Sequence, residues 1–288
     1  MKSLSVNKYG LSRNIPNPIK REVRKKSGYG CVICGLGIYT YEHVDPLFSE
    51  AKSHDPNKIV LLCGGCHNRI TKGVWSKDKV KLAMNNPFSL SKGYARDYFD
   101  IGEPFGVNIG RIYFYENETG ELLRINGNTL LSIRIDEEGS PKLSGKFCSS
   151  SGKLLFEIVD NEWQGSLESW DIEAVGKRLI IREGKGKILL QILANPPHII
   201  SIEKINLFYD GYTIKTDEVT GQITIGSAKG LHIDVSSGVA VTKGPLILDQ
   251  RGITFDGGTF IALGQVSMNP LDFEKLLLTG QTVSIPSK

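Results

Sequence analysis

Four of the five cysteines form two pairs, each with two residues between its members: Cys31 with Cys34, and Cys63 with Cys66. In a reducing compartment, two such pairs are typical of a metal site in which four thiolates surround one tetrahedral Zn²⁺. Because no ligand position stays open, we expect a structural zinc that supplies folding free energy on the order of 10 kcal/mol or more. A redox dithiol is the alternative that this spacing leaves open.

Three other side chains with metal-binding or acid–base chemistry lie close to the cysteines in sequence. Glu42 and His43 follow IYTY, an apolar-rich run that predicts a strand. His67 directly follows Cys66 in CHNRITKG, which predicts the start of a short helix. Each residue alone also fits a simpler role. His43 would then be bonded to backbone, His67 would bind the zinc in place of Cys66, and Glu42 would pair with a lysine.

Taken together, residues 29–73 resemble the four-cysteine branch of the HNH endonuclease family, whose pattern is C-x2-C, Asp-His, Asn and C-x2-C-H. The resemblance implies a ββα-metal fold, in which a β-hairpin and a helix surround a catalytic divalent ion, Mg²⁺ or Mn²⁺. It implies that His43 is the general base, which takes a proton from the attacking water. It also implies that Glu42 and His67 bind the ion, which stabilises charge on the phosphate and the leaving oxygen.

The chain departs from the family pattern at two positions. Glu42 stands where the family has Asp, so its carboxylate reaches one methylene further. The family Asn lies five positions before the third cysteine, which is Lys58 here, and Asn57 is one residue out of register. Asn57 is therefore a candidate to fix the catalytic loop, with His54 and Asp55 as substitute polar groups.

Basic residues are concentrated in the same part of the chain. Residues 1–95 contain 16 Lys or Arg and 6 Asp or Glu, whereas the remainder contains 19 and 25. A basic first third indicates an anionic partner, of which nucleic acid is the usual one, although a solvated basic surface is the alternative. The residues from which we expect phosphate contacts are Lys25, Lys26, Arg69 and Lys72.

The elements that must position these residues divide the chain in two. Asn17-Pro18 predicts the start of a short basic helix before the first cysteine pair. From about residue 106, short apolar runs such as LLSIRID and KILLQIL alternate with turn residues, which predicts strands. We therefore expect an α+β protein with a nuclease module over 1–95. An all-β accessory domain over 106–288 would be sandwich-like or a solenoid of short strands, with a division near 195–197.

The bulk properties limit the functional classes. The chain has 288 residues, 40% of them apolar, with neither a membrane-length apolar run nor an apolar signal segment, so we expect a cytoplasmic protein without a membrane partner. Numerous strand edges favour a homo-oligomer. The expected function is hydrolysis of phosphodiester bonds in DNA, with RNA as an open alternative, controlled or assembled by the β domain as in bacterial defence. The competing hypothesis is a non-catalytic zinc module that binds nucleic acid or protein.

Overall fold

The computed structural model describes residues 6–115, 119–217, 219–228, 230, 232–235, 238–242, 244–250, 252–255 and 259–263. The helices are α1 (Asn17–Lys26), α2 (Gly64–Thr71), α3 (Lys77–Asn85) and α4 (Phe88–Lys92). Strands of the first half are β1 (Thr40–His43), β2 (Ile59–Leu62), β3 (Tyr94–Tyr98), β4 (Gly106–Ile109), β5 (Ile112–Tyr115), β6 (Gly120–Ile125), β7 (Asn128–Ile135), β8 (Pro141–Cys148), β9 (Leu154–Val159) and β10 (Glu162–Ser166). Strands of the second half are β11 (Asp171–Val175), β12 (Arg178–Gly184), β13 (Lys187–Asn195), β14 (Ile199–Tyr209), β15 (Tyr212–Thr216), β16 (Ile223–Ser227), β17 (His232–Val235), β18 (Gly238–Thr242), β19 (Leu246–Asp249), β20 (Gly252–Phe255) and β21 (Thr259–Leu263).

These elements make a mixed α and β protein in which strands predominate, as the sequence predicts. In the ranges that the structure describes, no helix is both long enough and apolar enough to span a membrane. The chain forms two compact units, each assembled from separate stretches of sequence. Among the described residues, the first unit contains 6–98, 162–176 and 180–187, and the second contains those within 99–161, 177–179 and those from 188 onward.

The hairpin β1–β2 is the centre of the first unit. All four residues of β2 are buried, and successive residues of a strand point to opposite faces. Ile59 and Leu61 pack with Val23 of α1 on one side of the hairpin. Val60 and Leu62 pack with the cysteines on the other side. Because one strand serves two small cores, the hairpin is fixed between α1 and the segment that contains the cysteine pairs.

Later segments of the chain complete the first unit. Strand β10 pairs antiparallel with β3. Trp163 of β10 packs against Gly37, where a Cβ atom would lie only 2.1 Å from the indole ring. Tyr29, which follows α1, donates a hydrogen bond of 2.9 Å to the carbonyl oxygen of Ser169. The surroundings of the cysteine-containing segment therefore include residues more than a hundred positions further along the chain.

Arg24 is a buried member of the basic helix α1, with only 4% of its side chain exposed. Its Nε and Nη2 atoms donate to the two carboxylate oxygens of Asp171, at 2.9 and 2.6 Å. Its Nη1 atom donates to the Tyr41 hydroxyl at 2.8 Å and to Glu173 at 3.1 Å. Arg182 also donates to Asp171, at 3.3 Å. This buried network ties α1 to β11, and it gives Arg24 a structural role.

Replacing Arg24 with Ala should therefore destabilise the first unit strongly. The substitution leaves the buried Asp171 carboxylate without its bidentate partner, and breaking such a pair costs about 3–5 kcal/mol. Denaturant unfolding of the full chain measures the loss. The exposed neighbour Lys25 provides the matched control, because Lys25→Ala should change the free energy of unfolding by less than about 0.5 kcal/mol. Equal stability of both variants would contradict the structural role of Arg24.

In its described residues, the second unit consists of strands and turns, as the sequence predicts from residue 106 onward. Strands β6, β7, β8 and β9 form an antiparallel meander, to which β19 adds in parallel next to β6. Strand β14 pairs antiparallel with β13 and β15 and parallel with β4. Pro196 and Pro197 lie in the turn between β13 and β14, so the chain continues in the same sheet beyond them. A meander of this kind differs from the stacked turns of a solenoid.

Candidate metal sites

The four cysteine sulfurs converge, with all Sγ atoms within 4.8 Å of one another. The Sγ of Cys34 lies 3.6 Å from that of Cys63 and 3.7 Å from that of Cys66. A tetrahedral zinc with bonds of about 2.3 Å places its sulfur ligands about 3.8 Å apart, so the cluster fits a zinc ion. Cys31, Cys63 and Cys66 are buried. The cluster therefore has the closed surroundings of a structural metal site.

Local backbone geometry brings each pair of cysteines together. In the first pair, the Gly35 amide donates to the Cys31 carbonyl at 2.8 Å. Gly35 has a φ of +80°, and a Cβ there would lie 2.6 Å from the Phe88 ring, so the turn requires glycine. In the second pair, Cys63 caps α2, and its Sγ accepts a hydrogen bond of 3.4 Å from the amide of Cys66.

The cysteine thiols differ in acidity: burial raises the pKa of Cys66 to about 12, whereas Cys31 favours the thiolate, the form in which cysteine binds zinc. A hydrogen bond from the Cys34 thiol, assisted by nearby backbone amides, lowers the pKa of Cys31 to about 5. The same hydrogen bond raises the pKa of Cys34. The pair thus holds one thiolate and one thiol near neutral pH, and metal binding would release the remaining proton.

Glu42 and His67 form a second, more open pair of metal-binding groups. Glu42 Oε2 lies 3.3 Å from His67 Nε2, and the two side chains are 36% and 43% exposed. Glu42 is the third residue of β1, and His67 lies on α2 directly after Cys66. Adjacent ligands of a Mg²⁺ or Mn²⁺ ion with bonds of about 2.1 Å lie about 3.0 Å apart. The two atoms therefore fit one divalent ion, whose other positions would face solvent.

His43 lies beside this pair but is only 7% exposed. Its Nε2 atom is 3.1 Å from Nδ1 of His54, and its ring packs edge-on against Phe48 with centroids 5.4 Å apart. Burial lowers the pKa of His43 to about 4, and the charges of His54 and Arg13 act in the same direction. The imidazole is therefore neutral near pH 7, the form that can accept a proton, and its lowered pKa also makes it a weaker base than a solvent-exposed histidine.

Two clefts meet at Glu42, His43 and His67, which line both of them. The larger cleft has a volume of about 610 Å³, and Arg13 and Lys20 lie in its wall. The smaller cleft has a volume of about 330 Å³, with Lys77 in its wall. Cations therefore lie in the walls of both clefts that the three candidate residues line.

Asn57 is placed differently from the residues named above. Its side chain is exposed and accepts a hydrogen bond from the Lys26 ammonium group. The polar residue next to His43 is instead His54, which sequence analysis names only as a substitute. The sequence feature that could have identified His54 is its position in the loop between β1 and β2.

The four predicted phosphate-binding residues lie on the surface of α1 and around α2. Lys25 is exposed on α1, and Lys26 pairs with Glu22 at 2.8 Å. Arg69 lies over the Trp75 ring at 4.8 Å, and Lys72 is the exposed residue that ends α2. The cations that line the clefts are different ones, and they come from the N-terminal arm, α1 and α3.

A carboxylate and an imidazole that could together bind a divalent ion, a second, neutral imidazole and nearby cations are the kinds of group that can support hydrolysis of a phosphate ester. Comparison of the chain with known protein families, curated proteins and solved structures gives no match.

Proposed function

We propose that this protein is a metal-dependent endonuclease of the HNH type that hydrolyses phosphodiester bonds in DNA. The observation that carries this proposal is the convergence of Glu42, His43 and His67 where two cation-lined clefts meet. Glu42 and His67 would hold Mg²⁺ or Mn²⁺, which supplies a Lewis acid for the phosphate and the leaving oxygen. His43 accepts the proton of the attacking water, since burial keeps its imidazole neutral.

The clefts favour a polymeric substrate over a small phosphodiester. An endonuclease must bind its substrate on both sides of the cleaved bond. Arg13 and Lys20 in the wall of one cleft, and Lys77 in the wall of the other, offer charges to phosphates near the reacting one. Such contacts bind the backbone without selecting a sequence. The second unit is then an accessory part that controls the nuclease or assembles it into a homo-oligomer.

In this proposal the four-cysteine zinc positions the nuclease site without taking part in the chemistry. Strand β2 ends at Leu62, directly before Cys63, and His67 directly follows Cys66. One zinc ion, bound by Cys63 and Cys66 together with the first cysteine pair, fixes the start of α2 against the hairpin. Glu42 on the hairpin and His67 on the helix therefore keep their 3.3 Å separation.

A non-catalytic module that binds nucleic acid is the second candidate function. The specific observation in its favour is the contact between Glu42 and His67, which satisfies both groups as an ion pair when the histidine is protonated. If this candidate is correct, the protein binds DNA without cleaving it, and divalent ions other than zinc do not change that binding.

The proposal is tested by incubating the full chain with closed circular DNA in Mg²⁺ or Mn²⁺. Because a circle has no ends, its conversion to nicked or linear forms shows endonucleolytic cleavage, and excess chelator should stop it. A circular single-stranded RNA in parallel tests the alternative substrate. If zinc-loaded protein left the DNA intact both in Mg²⁺ and in Mn²⁺, the nuclease proposal would be wrong and the binding module would take its place.

A further inference from the structure

Asn7, in the N-terminal arm (residues 6–15), connects the arm to the loop between β1 and β2, residues 44–58, which we call the histidine loop. Its Nδ2 donates to the carbonyl oxygens of Phe48 and Ala51, both at 2.6 Å. Its Oδ1 accepts from the amides of Tyr9 and Leu11, both at 3.0 Å. The side chain thus uses two donors and two acceptor sites, the full capacity of an amide.

Further contacts also hold the arm against the histidine loop. Lys8 pairs with Glu50 at 2.6 Å, although both side chains are about half exposed. The Arg13 guanidinium lies over the Phe48 ring, 4.6 Å from its centroid. An exposed ion pair contributes little on its own. The satisfied amide of Asn7 is therefore the principal connection between arm and loop.

The histidine loop supplies both aromatic neighbours of His43. Phe48 packs edge-on against the imidazole, and His54 Nδ1 lies 3.1 Å from His43 Nε2. A neutral imidazole has one donor and one acceptor nitrogen. When His43 Nε2–H donates to His54, Nδ1 of His43 keeps its lone pair; when His54 Nδ1–H donates instead, Nδ1 of His43 carries the proton. The contact therefore couples the tautomer of His43 to that of His54, and the proposed general base requires the form in which Nδ1 of His43 can accept a proton.

We propose that His54 is a positioning residue, which sets the tautomer and orientation of His43, and that Asn7 holds the loop that carries His54. This inference rests on the proposed nuclease function, in which His43 is the general base. It gives His54 the role of fixing the catalytic loop that sequence analysis assigns to Asn57. It also makes the N-terminal arm a functional part of the nuclease site.

The kinetic test uses His54→Ala and His54→Asn in the full chain, with cleavage of circular DNA as the assay. Misplacing a reacting group by about 1 Å can cost about 100-fold in rate. We expect His54→Ala to lower kcat by about that factor, with KM and bound zinc unchanged. The Asn amide places a polar atom about where Nδ1 lies, so His54→Asn should regain most of the rate. Wild-type kcat in His54→Ala, or no rescue in His54→Asn, would overturn the role of His54.

A second test needs no turnover, so it separates failure of this inference from failure of the nuclease proposal. ¹⁵N NMR of histidine-labelled full chain should show His43 protonated at Nε2 and not at Nδ1. His54→Ala should abolish that preference.

Amide hydrogen exchange tests the role of Asn7. Asn7→Asp places a carboxylate against the carbonyl oxygens of Phe48 and Ala51, which repel it, so amide exchange at residues 47–51 should become faster. Asn14→Ala, at an exposed position of the same arm, is the control and should leave that exchange unchanged. A proton on Nδ1 of wild-type His43, or unchanged exchange in Asn7→Asp, would contradict the proposal.

Discussion

Exchange of Cys63 for Ser should release zinc and unfold the part of the first unit around β2 and α2. The small core on this side of the hairpin contains three of the cysteines themselves, together with Val32, Val60, Leu62 and Val80. Such a core cannot replace a structural zinc, whose binding supplies on the order of 10 kcal/mol. That amount is comparable to the whole stability of an ordinary domain, about 5–15 kcal/mol. Cys63 also caps α2, and because serine is itself a good N-cap, the exchange removes the metal ligand while a capping oxygen stays in place.

Elemental analysis and amide hydrogen exchange of the full chain measure the two parts of this expectation. Zinc should fall from one equivalent to none in Cys63→Ser, and the protection of β2 and α2 should be lost. Cys148, also buried but in the second unit, provides the control, since Cys148→Ser should keep zinc and protection. Wild-type protection in a zinc-free Cys63→Ser variant would show that the cluster does not hold the fold together.

The second large effect is expected at His43. A positioned general base contributes about 100- to 10,000-fold to a rate, so His43→Ala should lower kcat within that range. Its affinity for Mn²⁺ should be unchanged, because Glu42 and His67 supply the proposed ligands. Glu42→Ala should instead raise the Mn²⁺ concentration needed for half-maximal cleavage. Asn57→Ala should stay close to wild type, because that side chain is exposed and bonded to Lys26.

Cleavage rates measured over a series of Mn²⁺ concentrations separate these variants. The assignment of His43 would be wrong if His43→Ala and Glu42→Ala responded identically to added ion, since both would then act through metal binding. A large loss in Asn57→Ala would restore Asn57 as the residue that fixes the loop. Retained DNA binding in His43→Ala is expected whichever of the two functions holds.

The cysteine cluster could be predicted from sequence because its information is local. Two C-x2-C pairs define a ligand set through spacing alone, and the structure brings all four sulfurs together. The order of strand and helix follows in the same way from the apolar-rich run IYTY and from the short helix predicted at CHNRITKG. Glu42 and His67 approach one another because Glu42 lies in β1 and His67 lies in α2, directly after the last cysteine.

The contacts that sequence could not predict are long-range or depend on how one loop folds. Arg24 has the sequence environment of a phosphate-binding helix residue, yet its carboxylate partner is 147 positions away. Asn57 and His54 are three residues apart in one irregular loop, where no periodicity indicates which side chain points inward. Asn7 lies in a polar segment whose hydrogen bonds cross 41 and 44 positions to the loop.

The return of residues 162–176 and 180–187 to the first unit affects the order in which the chain can mature. A growing chain lengthens by about 5–20 residues per second. Arg24 would therefore wait roughly 7 to 30 seconds for the ribosome to add Asp171, at the same rate. The contacts that join α1 to β11 can form only after the four strands of the second unit's meander, β6 to β9, have been synthesised. A fragment cut after residue 98 would lack Asp171 and Glu173, the partners of Arg24, and Trp163, which packs against Gly37, so we expect it to be less stable than the full chain.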